Sequence, residues 1–245
     1  MNGTQGLFVT GTDTGVGKTV ITGALVAALR AEGGNVGVWK PVQTGGLAGE
    51  GTTDAELLLK YTGMDSDAED IASFTFEAPL APMLAAKQTG LNITLQDILS
   101  AGESILHRYD SVFIEGAGGV AVPITKDALT TDLIAELQTP VLIVARSGLG
   151  TINHTLLTME YLERRGISIL GFILNDGLSG ELHLDPSVET NGRIIEHYSG
   201  IPCLGHFPEL TGEIDSKRLI HAVQATINLS PVRDALTIQK MEEYR

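Results

Sequence analysis

Leu7-Phe8-Val9-Thr10-Gly11-Thr12-Asp13-Thr14-Gly15-Val16-Gly17-Lys18-Thr19 sets an apolar run directly against a glycine-rich turn ending in Gly-Lys-Thr. The first four residues predict a short buried strand, and the stretch from about Lys18 to Arg30 predicts an amphipathic helix. Glycines between them let backbone N–H groups turn inward around phosphate oxygens, and the helix start adds the favourable end of its dipole. Lys18 can reach the β and γ phosphates, while the Thr19 hydroxyl can ligate Mg²⁺. Thr14, Gly15, Val16, Gly17, Lys18, Thr19 and Val20 therefore form a candidate nucleotide loop. The strict motif fails at one position: Thr12 stands where its first glycine belongs, with Gly11 one step earlier. A glycine turn without function is the competing reading. Gly-Lys-Thr at a helix start after a buried strand favours the phosphate site.

The same alternation continues along the chain. Strands are expected at Asn35 to Trp39, Ser111 to Ile114, Val141 to Ala145, Ile169 to Leu174 and Pro202 to Gly205. Helices are expected at Asp54 to Tyr61, Leu95 to Arg108, 130–137, Ile152 to Arg165, 187–198 and 216–228. Thr44 to Thr53 reads as a mobile glycine-rich loop. Residues 65–90 read as irregular, with Pro79 and Pro82 as breakers. Aromatic residues are only 5% of the chain, so the core must be aliphatic, which suits a parallel sheet. The expected fold is α/β: one domain over 1–245, a parallel sheet flanked by helices.

Ligands of such sheets bind beyond the carboxyl ends of the strands. Lys40-Pro41 follows the second strand, so Lys40 can neutralise charge on a transferred phosphoryl group, or be an ordinary solvated lysine. Glu115, after the strand 111–114, is a candidate Mg²⁺ ligand or a turn cap, in a run Glu115-Gly116-Ala117-Gly118-Gly119. Asp54 opens a helix, where a carboxylate is also a common stabiliser. Gly148 to His154 begins another helix, whose free N–H groups can hold a carboxylate, unless Thr151 or Asn153 caps it. The amide of Asn175, in Asn175-Asp176, can serve an adenine edge or simply a turn. His154 is expected in structural hydrogen bonds and Cys203 as a small buried residue.

Taken together, these runs resemble the dethiobiotin synthetase family of P-loop ATPases. The phosphate loop is similar to Gly-Thr-Asp-Thr-x-Val-Gly-Lys-Thr, residues 40–45 to Lys-Pro-Val-x-[Ser/Thr]-Gly, and 115–119 to Glu-Gly-Ala-Gly-Gly. Phe76 to Pro82 is similar to Phe-x-x-Pro-x-x-Pro. The matches run in order from Phe8 to about Leu210. The resemblance implies a P-loop NTPase fold and Mg-ATP-dependent closure of a cyclic urea on 7,8-diaminopelargonate with CO₂, through a phosphorylated carbamate. It implies Lys18 and Lys40 as catalytic groups, and Thr19, Asp54 and Glu115 as Mg²⁺ ligands with Glu56 as fallback. Thr44 and Lys40 would contact substrate, and Gly116, Ala117 and Gly118 would border the nucleotide. Asn175 and Asp176 would meet the base, and so, on a looser match, would Pro208, Glu209 and Leu210. Gly150, Thr151, Ile152 and Asn153 would bind the substrate carboxylate from the neighbouring subunit of a homodimer sharing its active site.

The net charge of −14 argues against nucleic acid. One cysteine excludes an intrachain disulfide and a cysteine-rich metal site. No apolar run is long enough to span a membrane and no leader is evident, so a cytoplasmic location is expected. Partitioning and nitrogenase-iron-type ATPases carry a second lysine where this loop has Asp13, which disfavours a regulatory ATPase. Cobyric-acid-type amidoligases need a glutaminase domain and a nucleophilic cysteine for which this chain has no room. A phosphate-binding module without catalysis would leave Lys40 and Glu115 without a role.

Overall fold

A computed structural model describes residues 6–177 and 185–242. In chain order the elements are β1 (Gly6–Gly11), α1 (Lys18–Ala31), β2 (Val36–Thr44), α2 (Asp54–Thr62), α3 (Ala68–Ile71), β3 (Ala72–Phe76), α4 (Pro82–Gln88), α5 (Leu95–Arg108) and β4 (Ser111–Gly119). They continue with α6 (Thr130–Leu137), β5 (Val141–Arg146), α7 (Thr151–Arg164), β6 (Ile169–Asn175), α8 (Val188–Ser199), β7 (Cys203–Phe207), α9 (Ser216–Thr226) and α10 (Ser230–Glu242). The strands form one sheet in the order β3-β2-β4-β1-β5-β6-β7. Every neighbouring pair is parallel. The expected α/β architecture is what the chain adopts.

Side-chain alternation along the strands builds two cores. Phe8, Trp39, Ile114, Ile143 and Phe172 face one way, with Ile98 of α5, Ile134 of α6 and Met159 of α7. Leu7, Val9, Phe113, Leu142 and Val144 face the other way, with Leu25 of α1, Leu219 of α9 and Val232 of α10. Burial on both faces explains why the central strands read as unbroken apolar runs.

Three expectations need correction. Residues 65–90 are not irregular: they hold α3, the edge strand β3 and α4. Pro82 begins α4 at its first turn instead of breaking structure, because its missing N–H is not needed there. The second strand runs on through Lys40-Pro41 to Thr44. Its pairing with β4 ends at Trp39–Ile114, and β3 takes over from Lys40, so Pro41 interrupts no central ladder. Beyond the predicted helix at α9, the tail adds α10, which closes the second core. No helix among the described residues is long and apolar enough to cross a membrane.

Gly102 shows how tightly α5 packs on the sheet. A Cβ there would lie 2.4 Å from the ring of fully buried Trp39, whose Nε1 is tied to Ser73 Oγ at 2.8 Å. Gly102→Ala is therefore expected to destabilise the fold by about 1–3 kcal/mol despite alanine's better helix propensity. Urea unfolding checks this, and a stability equal to or above that of the wild type would contradict the packing account.

Candidate active site

The carboxyl ends of β1, β2 and β4 lie side by side, and each delivers a charged group to one place. α1 starts at Lys18 after Gly17, whose φ of 91° is left-handed. A Cβ at Gly17 would also sit 2.1 Å from Asn175 Nδ2, so the loop requires glycine there on two counts. Lys18 is buried, and its Nζ donates to the Asp13 carbonyl at 3.2 Å. Burial, and then the nearby Lys40 charge, lower its pKa to about 8.

Lys40 and Glu115 are brought together by strand register. One residue past the last β2–β4 rung, Trp39–Ile114, these two come next on adjoining strands. Lys40 Nζ lies 2.6 Å from Glu115 Oε1 and 2.7 Å from Asp54 Oδ2. Lys40 is 2% exposed and Glu115 not at all. Burial alone would lower the lysine pKa, but Glu115 and then Asp54 outweigh it and hold it above the ordinary range. Burial pushes the Asp54 carboxyl up, yet Lys40 pulls it further down, below the usual carboxylate range. The expected lysine at a strand end is thus a lysine inside a strand, locked between two carboxylates. It is not a solvated one.

Thr19 Oγ1 joins this group, 3.0 Å from Glu115 Oε1 and 3.2 Å from Asp54 Oδ1. Glu115 Oε2 is buried and has no hydrogen-bond partner among the described residues. Three hard oxygen groups converging beside the phosphate loop, one with an unsatisfied buried atom, fit a Mg²⁺ ion that keeps other sites for phosphate and water. Glu56 does not fit that role, because its two oxygens take the N–H groups of Gly49 and Thr53.

A cavity of about 590 Å³ opens over these residues. Thr14, Gly15, Gly17, Lys18, Thr19, Lys40, Thr44, Asp54, Ala117 and Gly118 line it, closed on one side by Pro79 to Pro82. Val16 and Glu115 are buried beneath it, Val20 packs against the second core, and Gly116 sits against the Phe8 ring. The remaining expected residues lie elsewhere along the rim. Asn175 Nδ2 donates to the Val16 carbonyl at 2.9 Å, tying the end of β6 to the phosphate loop. Asp176 Oδ1 accepts from Ser147 Oγ at 2.6 Å and also meets His206 Nε2, so it links the ends of β5, β6 and β7. Pro208 and Leu210 border a separate cavity against α9, and Glu209 lies between them.

α7 begins at Thr151 after left-handed Gly150, with no side-chain cap. Thr151 is fully buried and its N–H reaches Gly148, whereas the N–H groups of Ile152 and Asn153 have no acceptor among the described residues. The His154 imidazole is exposed and, contrary to expectation, makes no hydrogen bond among the described residues. Cys203 is half-buried, and burial pushes its thiol up, which suits an inert side chain. Sequence reasoning missed Arg146, which pairs with Asp13 Oδ2 at 2.7 Å, because the two residues are 133 positions apart.

Removing Lys40 leaves Glu115 as a buried, uncompensated charge. Lys40→Met should destabilise the protein by about 3–5 kcal/mol, with part recovered on adding Glu115→Gln. Denaturant unfolding of both variants decides it. Wild-type stability in Lys40→Met would show that the pair does not carry this burden.

An AAA-domain family model matches residues 5–214. The chain is 41% identical over 230 residues to the ATP-dependent dethiobiotin synthetase BioD of Bacillus thuringiensis (strain Al Hakam), covering 94% of each. It is equally close to the protein of that name from Bacillus cereus (strain 03BB102). Among solved structures, the MinC:MinD cell division protein complex of Aquifex aeolicus superposes with a TM-score of 0.52 at 16% identity, covering 90% of this chain and 94% of that one. At that identity the likeness concerns the fold alone. The near-full-length sequence relatives go further: the chain belongs to the dethiobiotin synthetase family of P-loop ATPases.

Proposed function

We propose that the chain acts as a single ATPase-type domain converting 7,8-diaminopelargonate, CO₂ and ATP to dethiobiotin, ADP and phosphate. The convergence of Lys18, Lys40, Thr19, Asp54 and Glu115 on one cavity carries this reading, together with family membership. One substrate amine takes up CO₂ as a carbamate. A carbamate oxygen attacks the γ-phosphorus, the bond to ADP breaks, and a mixed anhydride forms. The second amine then attacks the carbamoyl carbon, expels phosphate and closes the ring.

The protein's part is charge and position. Lys18 and Lys40 face the charge that spreads over the transferred phosphoryl group. Backbone N–H groups of the 14–19 loop hold the phosphate chain, and Thr44 at the cavity wall binds the carbamate or an amine. Thr19, Asp54 and Glu115 would hold Mg²⁺, which neutralises phosphate charge. Asp54 is a poor general base, because Lys40 keeps it ionised with a depressed pKa. An amine that enters neutral needs no such base. Asn175, with Pro208 to Leu210, forms the base side of the nucleotide site in this reading.

Protein incubated with diaminopelargonate, bicarbonate and Mg-ATP should give dethiobiotin and ADP in equal amounts by mass spectrometry. ATP turnover that is indifferent to the diamine would instead favour a regulatory ATPase. In the same assay Lys40→Ala should lose about 100-fold or more in turnover while still binding ATP, and near-normal turnover would remove Lys40 from the mechanism.

The substrate carboxylate is bound, we further propose, by the Ile152 and Asn153 N–H groups of a partner subunit. Those amides have no acceptor among the described residues, and Leu149 and Leu157 on the same helix region are 83% and 61% exposed. A variant defective at Lys40 and one defective at 150–153 should complement after subunit exchange, because each mixed dimer then holds one intact site. Random pairing restores up to about a quarter of all sites. Verified exchange without recovery would confine the site to one chain.

A further inference from the structure

Gln43 lies in β2, three residues after Lys40, and its side chain is buried with 2% exposure. Burying a primary amide is costly unless its polar atoms are used. Both kinds are used here. Its Oε1 accepts from the Ala55 N–H at 2.9 Å, and its Nε2 donates to the Gly46 carbonyl at 3.1 Å. The partners also settle the orientation of the amide, since one is only a donor and the other only an acceptor.

The Ala55 N–H belongs to the first turn of α2, where amides have no partner within the helix. It also shares a rigid peptide plane with the Cα of Asp54. Whatever fixes that N–H therefore fixes the base from which the Asp54 side chain hangs. Asp54 in turn must meet Lys40 at 2.7 Å and Thr19 at 3.2 Å. The intervening segment, with left-handed Gly45, Gly49 and Gly51, is intrinsically permissive and cannot set that position by itself.

We propose that Gln43 is a positioning residue for Asp54: by holding the 54–55 peptide plane against β2, it sets the carboxylate's place in the metal site. This rests on the ligand set assigned above to Thr19, Asp54 and Glu115. It predicts a role in metal affinity for a side chain that touches neither metal nor substrate.

The test measures binding of Mn²⁺, which takes the same oxygen ligands, to the full-length protein with ADP by electron paramagnetic resonance, with no diamine present. Gln43→Met keeps the volume and removes both hydrogen bonds. It should weaken Mn²⁺ binding about tenfold, the usual scale for outer-sphere supports, while ADP affinity in EDTA is unchanged. Gln43→Glu keeps the acceptor for Ala55 and should stay within about threefold of the wild type. In an Asp54→Asn background, Gln43→Met should add less than about twofold, because both changes act through one carboxylate.

Unchanged Mn²⁺ affinity in Gln43→Met, even with a lower melting temperature, overturns the proposal. So does a full additional tenfold loss in the Asp54→Asn background. Should Gln43→Met not fold, Gln43→Glu decides alone, and a tenfold loss there overturns the Ala55 bond as the operative contact. If Asp54→Asn leaves Mn²⁺ binding intact, the ligand set itself falls, and this inference with it. Normal Mn²⁺ binding without dethiobiotin formation removes the proposed reaction and leaves the role of Gln43 standing.

Discussion

The charge cluster around Lys40 is the constraint on which the rest of the site depends. A lysine with almost no exposure, between a fully buried glutamate and a half-buried aspartate, survives only if all three are held in place. Glu115 is held by β4 and Lys40 by β2, the strand beside it. Asp54 comes from a helix start that must be brought in from outside the sheet. Two members are thus secured by the sheet ladder and the third by side chains. The Thr19 hydroxyl then couples the cluster to the phosphate loop on β1.

Parallel pairing explains why such a site can exist here. All carboxyl ends emerge on one edge, so residues distant in sequence become neighbours without long connections. The order β2-β4-β1 places the strand carrying Glu115 between those carrying Lys40 and the phosphate loop. On the other side of β1, the ends of β5, β6 and β7 are tied to one another by Ser147, Asp176 and His206. Asn175 then ties that group to the loop through the Val16 carbonyl. The phosphate loop is therefore braced from both sides before any nucleotide arrives. Such pre-organisation favours stabilising developing charge without rearrangement.

What was legible in the sequence follows from how local each signal is. Gly-Lys-Thr after an apolar strand is self-contained, and so is the alternation of strands and helices. β3 was invisible because a five-residue edge strand between acidic and proline-rich stretches has too few apolar positions to show a period. Lys40 was placed at a strand end because Pro41 reads as a terminator. Only the change of pairing partner from β4 to β3 shows why that proline is tolerated. Burial of Lys40 was unreadable for a related reason: its two partners lie 14 and 75 residues away. Glu56 stands as the fallback to Asp54 in the sequence, and the hydrogen bonds it accepts from Gly49 and Thr53 are what remove it.

The balance of charge at the site has a further consequence for how a triphosphate can be held. The protein as a whole carries −14, and the cavity's two lysines are matched by Asp54 and Glu115. Side chains alone therefore offer a triphosphate almost no net attraction. Lys18 is weakened further, since its pKa is lowered to about 8 by burial and by Lys40. The favourable field must come largely from the aligned N–H groups of the phosphate loop and the start of α1, to which the proposed Mg²⁺ would add. Glu115 Oε2, buried and without a partner, has no donor to satisfy it within the described chain, and a cation would. The two carboxylates that keep Lys40 charged are also the groups suited to receive that cation.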